Sequence, residues 1–300
     1  MATPSLGYLL TLPKFDYLEA KTIEEVCSWL AEYKGKAKVI AGGTDLLVSM
    51  KKRELSPQYI INIKAIPDLD YIHYADGEGL SIGALTTLQS IADSPIIKDK
   101  FRLLATACNK VGTPQVRNMG TIGGNIGNGG PSQDAIPSLL VLEAKLRLVS
   151  LSRERIMPIQ DFFIAPFRTA LNEAELLTEI RIPPPPPHSA GSYHWLTKTT
   201  TDDETLVGVA VLMTADSASG LCQDIKIGLC SVAPTPIRAK QAEELLQGKR
   251  IETSLIEQVA ELAAEATSPR SRADYRRQMT RVLVKRAINE VWQKIKQTIT

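Results

Sequence analysis

Two glycine-rich segments hold the residue types best suited to chemistry in this sequence. In the first, Ala41-Gly42-Gly43-Thr44-Asp45-Leu46, adjacent glycines follow a predicted strand, Lys38 to Ala41, and precede a predicted helix, Leu46 to Lys52. Without Cβ, glycine reaches positive φ and lets successive backbone N–H groups converge on an anion. The helix behind adds unpaired N–H groups and the positive end of its dipole. This combination suits a diphosphate. Asp45 would repel a phosphate, so its carboxylate is expected to cap the helix or bond to nearby backbone. A Gly-Gly pair after a strand also serves as a plain turn, and spacing alone leaves both readings open.

The second segment places Gly120, Gly123, Gly124, Gly127, Gly129 and Gly130 within a short stretch ending at Pro131. Glycine weakens helix and strand interiors alike, so such density implies either a close approach to the backbone or a flexible surface loop. The amides of Asn125 and Asn128 and the hydroxyl of Thr121 suit a polar ring edge, and Asp134 suits hydroxyl donors. Neither segment is the G-x-G-x-x-G dinucleotide fingerprint, and no G-x-x-x-x-G-K-[ST] phosphate loop occurs.

Other chemistries find little support. Cys27, Cys108, Cys222 and Cys230 are scattered, and with His73, His188 and His194 they form no metal-ligand spacing. No iron–sulfur cluster is expected on this chain, since one needs about four thiolates together. Thirty-five basic against thirty-three acidic side chains leave a formal charge of +2, too little to attract nucleic acid. No apolar run approaches a membrane span, and Asp16, Glu19, Glu24 and Glu25 interrupt any N-terminal signal pattern, so a cytoplasmic protein is expected.

The elements that must position these segments are mixed α and β. Thr22 with Glu25, and Thr86 with Gln89, read as capping boxes, and Ile96 to Val111 has helical periodicity. Tyr59 to Ile63 reads as a strand, and Tyr71 to Ala75 with Leu80 to Ala84 as a hairpin around Asp76-Gly77. After the second segment come a helix, Ile136 to Glu143, and a strand, Lys145 to Ser150. Five consecutive prolines, Pro183 to Pro187, form a stiff connector that marks a domain boundary. Beyond it, strands at Thr205 to Thr214 and Asp224 to Val232 precede three helices, Ala239 to Leu246, Ser254 to Ala266 and Arg272 to Gln297. The expected organisation is residues 1–182, a connector 183–191, and a small α+β domain 192–300. Arg270, Arg272, Arg276, Arg277, Arg281, Lys285 and Arg286 form the strongest charge run, either a solvated helix face or an interface.

The segments VIAGGTDLL (Val39 to Leu47) and GTPQVRNMGTIGGNI (Gly112 to Ile126) closely resemble the medium, FAD-binding subunit of molybdenum hydroxylases, the family of carbon monoxide and xanthine dehydrogenases. The resemblance extends to LLTEIRIP (Leu176 to Pro183), CSVAPTPIRA (Cys230 to Ala239) and DYRRQMTRVLVKR (Asp274 to Arg286), nearly the whole chain. It implies an α+β fold, with a two-part FAD-binding domain of the vanillyl-alcohol oxidase (PCMH) type before a C-terminal domain of the carbon monoxide dehydrogenase flavoprotein type. It assigns Val39, Ile40, Ala41, Gly42, Gly43, Thr44, Asp45 and Leu46 to the FAD diphosphate and ribityl. Thr121, Ile122, Gly123, Gly124 and Asn125 fall on the flavin side, Asp134 on cofactor hydroxyls or neighbouring backbone, and the Leu177 backbone on the isoalloxazine edge. Val111 falls at an apolar contact.

The resemblance further implies a relay: a molybdenum-cofactor large subunit oxidises substrate, a small subunit with two [2Fe–2S] clusters passes electrons, and the FAD subunit delivers them to an external acceptor. No side chain of this chain is then expected to be catalytic or to bind metal. One departure bears on redox tuning. Where many relatives have Tyr-any-Lys, this chain has Tyr193-His194-Trp195, then Lys198 and Thr199 to Thr201. Trp195 either stacks near the ring or packs as an interface aromatic. A stand-alone flavin oxidoreductase and a flavin-loaded scaffold are the competing readings.

Overall fold

A computed structural model of the chain describes residues 11–199, 204–216 and 218–297. The N-terminal part is a parallel sheet of β1 (Asp16–Glu19), β2 (Ala37–Ile40) and β3 (Tyr59–Asn62), ordered β1-β3-β2. Parallel neighbours need crossover connections, which α1 (Ile23–Glu32) and α2 (Leu46–Lys51) supply. Thr22 Oγ1 accepts from Glu25 N at 3.2 Å, while the Glu25 carboxylate accepts from Lys21 N at 2.7 Å. Val26, Cys27 and Leu30 of α1 bury against Ile61 and Ile63, so β2 ends in the Gly42-Gly43 turn with its base anchored in a core.

An antiparallel sheet follows, ordered β4-β5-β10-β6-β7, from β4 (Ile72–Ala75), β5 (Gly79–Gly83), β6 (Lys145–Val149), β7 (Glu154–Pro158) and β10 (Leu176–Ile182). Between β5 and β6 the chain runs through α3 (Leu88–Asp93), α4 (Pro95–Lys100), α5 (Arg102–Lys110), α6 (Pro114–Met119), α7 (Ile122–Asn128) and α8 (Ala135–Val141). A short hairpin, β8 (Phe163–Ala165) with β9 (Arg168–Thr169), precedes β10.

Local readings fail in three places here. Thr87, not Thr86, caps α3, accepting from Ser90 N at 3.1 Å, because Thr86 is buried and hydrogen-bonded to the Tyr71 backbone. The periodicity over 96–111 splits at Phe101, whose ring is buried in the core, into α4 and α5. The second glycine segment is largely helix: Thr121 caps α7, and left-handed Gly129 ends it.

The C-terminal part is an antiparallel sheet of β11 (Ser189–Leu196), β12 (Val207–Asp216), β13 (Leu221–Cys230) and β14 (Ile237–Arg238), backed by α9 (Lys240–Leu246), α10 (Thr253–Glu265) and α11 (Ala273–Gln297). β11 begins at Ser189, inside the expected connector, because its first residues pair with Thr214 and Met213 of β12. The basic run on α11 divides by role. Arg276 Nη1 donates to the carbonyls of Leu206 and Ser231, tying the helix to its sheet. Arg281 and Lys285 pair with Glu261 and Glu257 of α10.

The two parts meet along an apolar seam. Tyr193, Ala210 and Leu212 belong to the same core as Leu139 and Leu140 of α8. At Gly228 the approach is close enough that a Cβ would lie 2.5 Å from the Pro137 carbonyl oxygen. Ser231 N donates to Pro131 O at 2.8 Å, and Lys226 pairs with Glu143 at 2.7 Å across the seam.

Candidate functional site

The fold brings the two glycine segments into contact. A Cβ on Gly42 would lie 2.1 Å from the Met119 carbonyl oxygen and 2.8 Å from Gly120 Cα. Gly43, at φ +74, turns the chain into α2. Gly124 faces the Ala41 methyl across 4.0 Å, measured from the Cβ it lacks. Among the described residues, no protein acceptor faces the backbone N–H groups of Gly42, Gly43, Thr44 and Asp45. Four consecutive unpartnered N–H groups at a strand-to-helix turn fit an anion such as a diphosphate.

The second segment differs. Ile122 N donates to Thr86 O at 3.0 Å, Gly123 N to Ala84 O at 2.9 Å, and Gly124 N to Thr121 Oγ1 at 3.1 Å. Its first-turn N–H groups are therefore committed to the fold, and the bare side of Gly123 is filled by Ala84, whose Cβ and carbonyl oxygen would each lie 2.6 Å from an added Cβ. The capping bond uses one of the two lone pairs of the Thr121 hydroxyl. Asn125 is 6% exposed, and its Oδ1 is buried without a hydrogen-bond partner. An orphaned buried acceptor costs free energy unless a ligand supplies a donor, which FAD does through its ring N–H and hydroxyls. The residues present fit the cofactor at both its phosphate and its hydrogen-donating portions.

Around this cleft, Val111 ends α5 half-buried against the main core, and its carbonyl accepts from Arg117 Nη1 at 3.2 Å. Arg117 also holds the Gly112 carbonyl at 2.9 Å and Gln89 Oε1 at 2.9 Å, which locks α6 and sets Met119 against Gly42. Leu177 is buried beside an irregularity in the β10–β6 ladder. The next residue, Thr178, accepts from Ala84 N at 3.0 Å, and Ala84 O in turn accepts from Gly123 N, so β10 abuts α7.

Two expected residues, Asp134 and Asp45, behave otherwise. Asp134 is turned into the domain seam, where Oδ1 accepts from Tyr193 Oη and Thr205 Oγ1, both at 2.6 Å, rather than toward a cofactor hydroxyl or its own backbone. Burial raises its carboxyl, and the two hydroxyl donors oppose that. Asp45 makes no capping bond to α2; its backbone is itself helical, which points the carboxylate away from the N2 and N3 amides. Burial in the cleft raises its carboxyl and a hydrogen bond from Gln133 opposes this, although much of the residue is open to solvent. Trp195 stacks on Tyr193 with ring centroids 5.9 Å apart and remains 42% exposed. Lys198 is exposed past the end of β11, and Thr200 and Thr201 lie outside the described residues.

Gln133 and Arg117 escape sequence reasoning, since neither sits in a glycine motif and only packing shows what their polar ends meet. Phe167, at φ +59 in the β8–β9 turn, also escapes it, and its ring lies beside Gly130. Burial raises all four thiols, which stay protonated as apolar core groups. Among the described residues no cluster of His, Cys, Asp and Glu could hold a metal ion, and no helix is long and apolar enough to cross a membrane.

Comparison with known proteins places this geometry. Residues 13–185 match the family described as the FAD binding domain in molybdopterin dehydrogenase, and residues 192–291 the CO dehydrogenase flavoprotein C-terminal domain. The carbon monoxide dehydrogenase medium chain of Hydrogenophaga pseudoflava is 34% identical over 93% of this chain and 98% of its own. The putative xanthine dehydrogenase FAD-binding subunit of Escherichia coli strain K12 is 30% identical over 91% of this chain and 94% of its own. The solved carbon monoxide dehydrogenase of Hydrogenophaga pseudoflava superposes with a TM-score of 0.91 at 35% identity, covering 95% of this chain and 99% of that one. Quinoline 2-oxidoreductase from Pseudomonas putida 86 gives 0.88 at 26% identity, covering 96% and 100%. The chain binds FAD as an oxidoreductase subunit and belongs to the family of FAD-binding medium subunits of molybdenum hydroxylases.

Proposed function

We propose that this chain is the electron-transfer subunit of a molybdenum hydroxylase complex. It takes electrons from the [2Fe–2S] clusters of a small partner subunit and passes them to an external acceptor, while a molybdenum-cofactor large subunit oxidises the substrate. The observation that carries this reading is the cleft itself: four unpartnered N–H groups at 42–45 lie on a segment that touches Met119 and Gly120, on the chain leading into α7 with its orphaned Asn125 acceptor. FAD supplies two-electron and one-electron chemistry when bound.

The chain's residues bind and orient. Ala41 to Leu46 hold the diphosphate, with Val39 and Ile40 as the strand that presents them. Gly123 lets α7 pack on Ala84 and Gly124 keeps the face of α7 toward Ala41 bare, Asn125 accepts from one of the cofactor's donors, and the Leu177 backbone and Val111 bound the ring. Among the described residues, the buried pair Asp134 and Tyr193 is engaged with each other and not with a substrate.

Two measurements test this. Complex isolated from native cells should contain molybdenum, iron and flavin together with this chain. The isolated, metal-free chain should not be bleached by xanthine, an aldehyde or carbon monoxide, and should be bleached once the iron–sulfur and molybdenum subunits are added. Rapid bleaching of the isolated chain overturns the relay in favour of a stand-alone enzyme. Complete complex whose flavin never reduces makes the chain a scaffold.

A further inference from the structure

We propose that Tyr193 and Thr205 of the C-terminal part are positioning residues for the cofactor cleft: by gripping Asp134 they hold the connection between α7 and α8 where Asn125 needs it in order to meet FAD. The proposal rests on the FAD reading of the cleft. Residues 129–134 lie outside helix and strand, and the connection opens on Gly129 and Gly130, which leave its backbone many paths. At its start Phe167 N donates to Gly129 O at 2.9 Å. Beyond that point the C-terminal part holds it. Ser231 N donates to Pro131 O at 2.8 Å, and Tyr193 Oη and Thr205 Oγ1 both donate to Asp134 Oδ1 at 2.6 Å. One turn further on, Pro137 is pressed against Gly228 of β13.

Asp134, Tyr193 and Thr205 are 6%, 5% and 1% exposed, so water does not compete for these bonds. A carboxylate that accepts two hydroxyls makes charge-assisted bonds, about twice as strong as neutral ones. Asp134 therefore moves only if the C-terminal sheet moves with it. The preceding residue, Gln133, accepts at Oε1 from Asn125 Nδ2, while Asn125 Oδ1 is buried without a partner. The Asn125 side chain takes its place from Gln133, and Gln133 takes its place from Asp134. An acceptor fixed before the ligand arrives binds more tightly than one that must first be ordered. Coupling of this kind is reciprocal, so FAD held by Asn125 should in turn tighten the seam.

The test titrates FAD into deflavinated full-length chain for the wild type, Tyr193→Phe, Thr205→Val, Asp134→Leu, Asp134→Leu with Tyr193→Phe, and Asp134→Asn. Lys226→Met serves as the control, because it breaks the seam ion pair with Glu143 and leaves 129–134 untouched. Removing either hydroxyl should weaken FAD by about threefold to tenfold, and Asp134→Leu by about tenfold or more. Adding Tyr193→Phe to Asp134→Leu should cost nothing further, since the bond is already gone. Asp134→Asn keeps an oxygen that accepts both hydroxyls and should restore affinity to within about threefold of wild type. Lys226→Met should stay within about twofold. In the wild type, FAD should also slow hydrogen exchange at the Ser231 amide, and in Tyr193→Phe with Thr205→Val it should slow it less. Wild-type affinity in both hydroxyl variants overturns the proposal, as does an equal loss in Lys226→Met, which would make the effect one of general seam stability. If Asp134→Leu does not fold, the hydroxyl variants and Asp134→Asn decide. A wild-type chain that takes up no FAD overturns the flavin reading, and this proposal with it.

Discussion

Replacing Gly42 by alanine adds one methyl group, and the structure gives the size of the response. The new Cβ would sit 2.1 Å from the Met119 carbonyl oxygen and 2.8 Å from Gly120 Cα, both backbone atoms that cannot rotate away. A carbon and a carbonyl oxygen rest at about 3.3 Å even in close C–H···O contact, so the two segments must separate by roughly 1 Å. Overpacking of this kind costs about 1–3 kcal/mol of stability. The effect on FAD is separate and larger. A shift of 1 Å takes an N–H donor from hydrogen-bond range to beyond about 3.6 Å, where no bond remains. Each lost bond to a charged group is worth about 1.5–3 kcal/mol, so losing one or two weakens FAD by roughly ten- to thousandfold or more. The assay is FAD content by absorbance on purification, followed by titration of the deflavinated chain, with urea unfolding of the same samples. Gly42→Ala retaining wild-type FAD affinity would refute the idea that Gly42-Gly43 and α6–α7 form one cradle.

Four other outcomes are expected. The chain should take up FAD and not FMN, since the four N–H groups at 42–45 suit two linked phosphates; equal affinity for both flavins by fluorescence quenching would contradict this. Arg276→Ala should destabilise the C-terminal part by about 2–3 kcal/mol in urea unfolding, because it orphans the Leu206 and Ser231 carbonyls. Arg277→Glu with Arg281→Glu should barely move that midpoint, their partners being exposed, and should weaken co-purification with partner subunits if that face is an interface. Burial alone would raise the Glu175 carboxyl, but the Arg155 side chain and the Asn172 backbone N–H hold it at about 2 against an ordinary 4.5. Its folded value is depressed, so it contributes stability above pH 4.5 that is lost as pH falls toward 2. Glu175→Gln should therefore destabilise the chain near pH 7, on the order of 3 kcal/mol, and approach wild type near pH 2. An equal effect at both pH values would contradict the linkage.

The glycine pairs, the Thr22 cap, the β4–β5 hairpin and the three C-terminal helices were all legible in the sequence, because each depends on neighbours a few residues away. Backbone conformation at Gly43, capping at Thr22 and amphipathic spacing in α10 are local properties of the chain. The family could be identified for the same reason: its motifs at 39–47 and 112–126 are contiguous runs of residues. What tertiary structure decided is where polar groups find partners. Thr86 and Thr87 are indistinguishable as caps until the fold buries one of them, and α7 forms through its glycines because Ala84, Thr86 and Thr121 satisfy its first N–H groups. Asp134 reads as a cofactor ligand until the C-terminal sheet arrives with Tyr193 and Thr205. The adjacent Gln133 carries no signal in the sequence, and the fold sets its amide against Asn125. A side chain's hydrogen-bond partner is a property of three-dimensional proximity, and sequence spacing does not encode contacts between segments as far apart as Asp134 and Thr205.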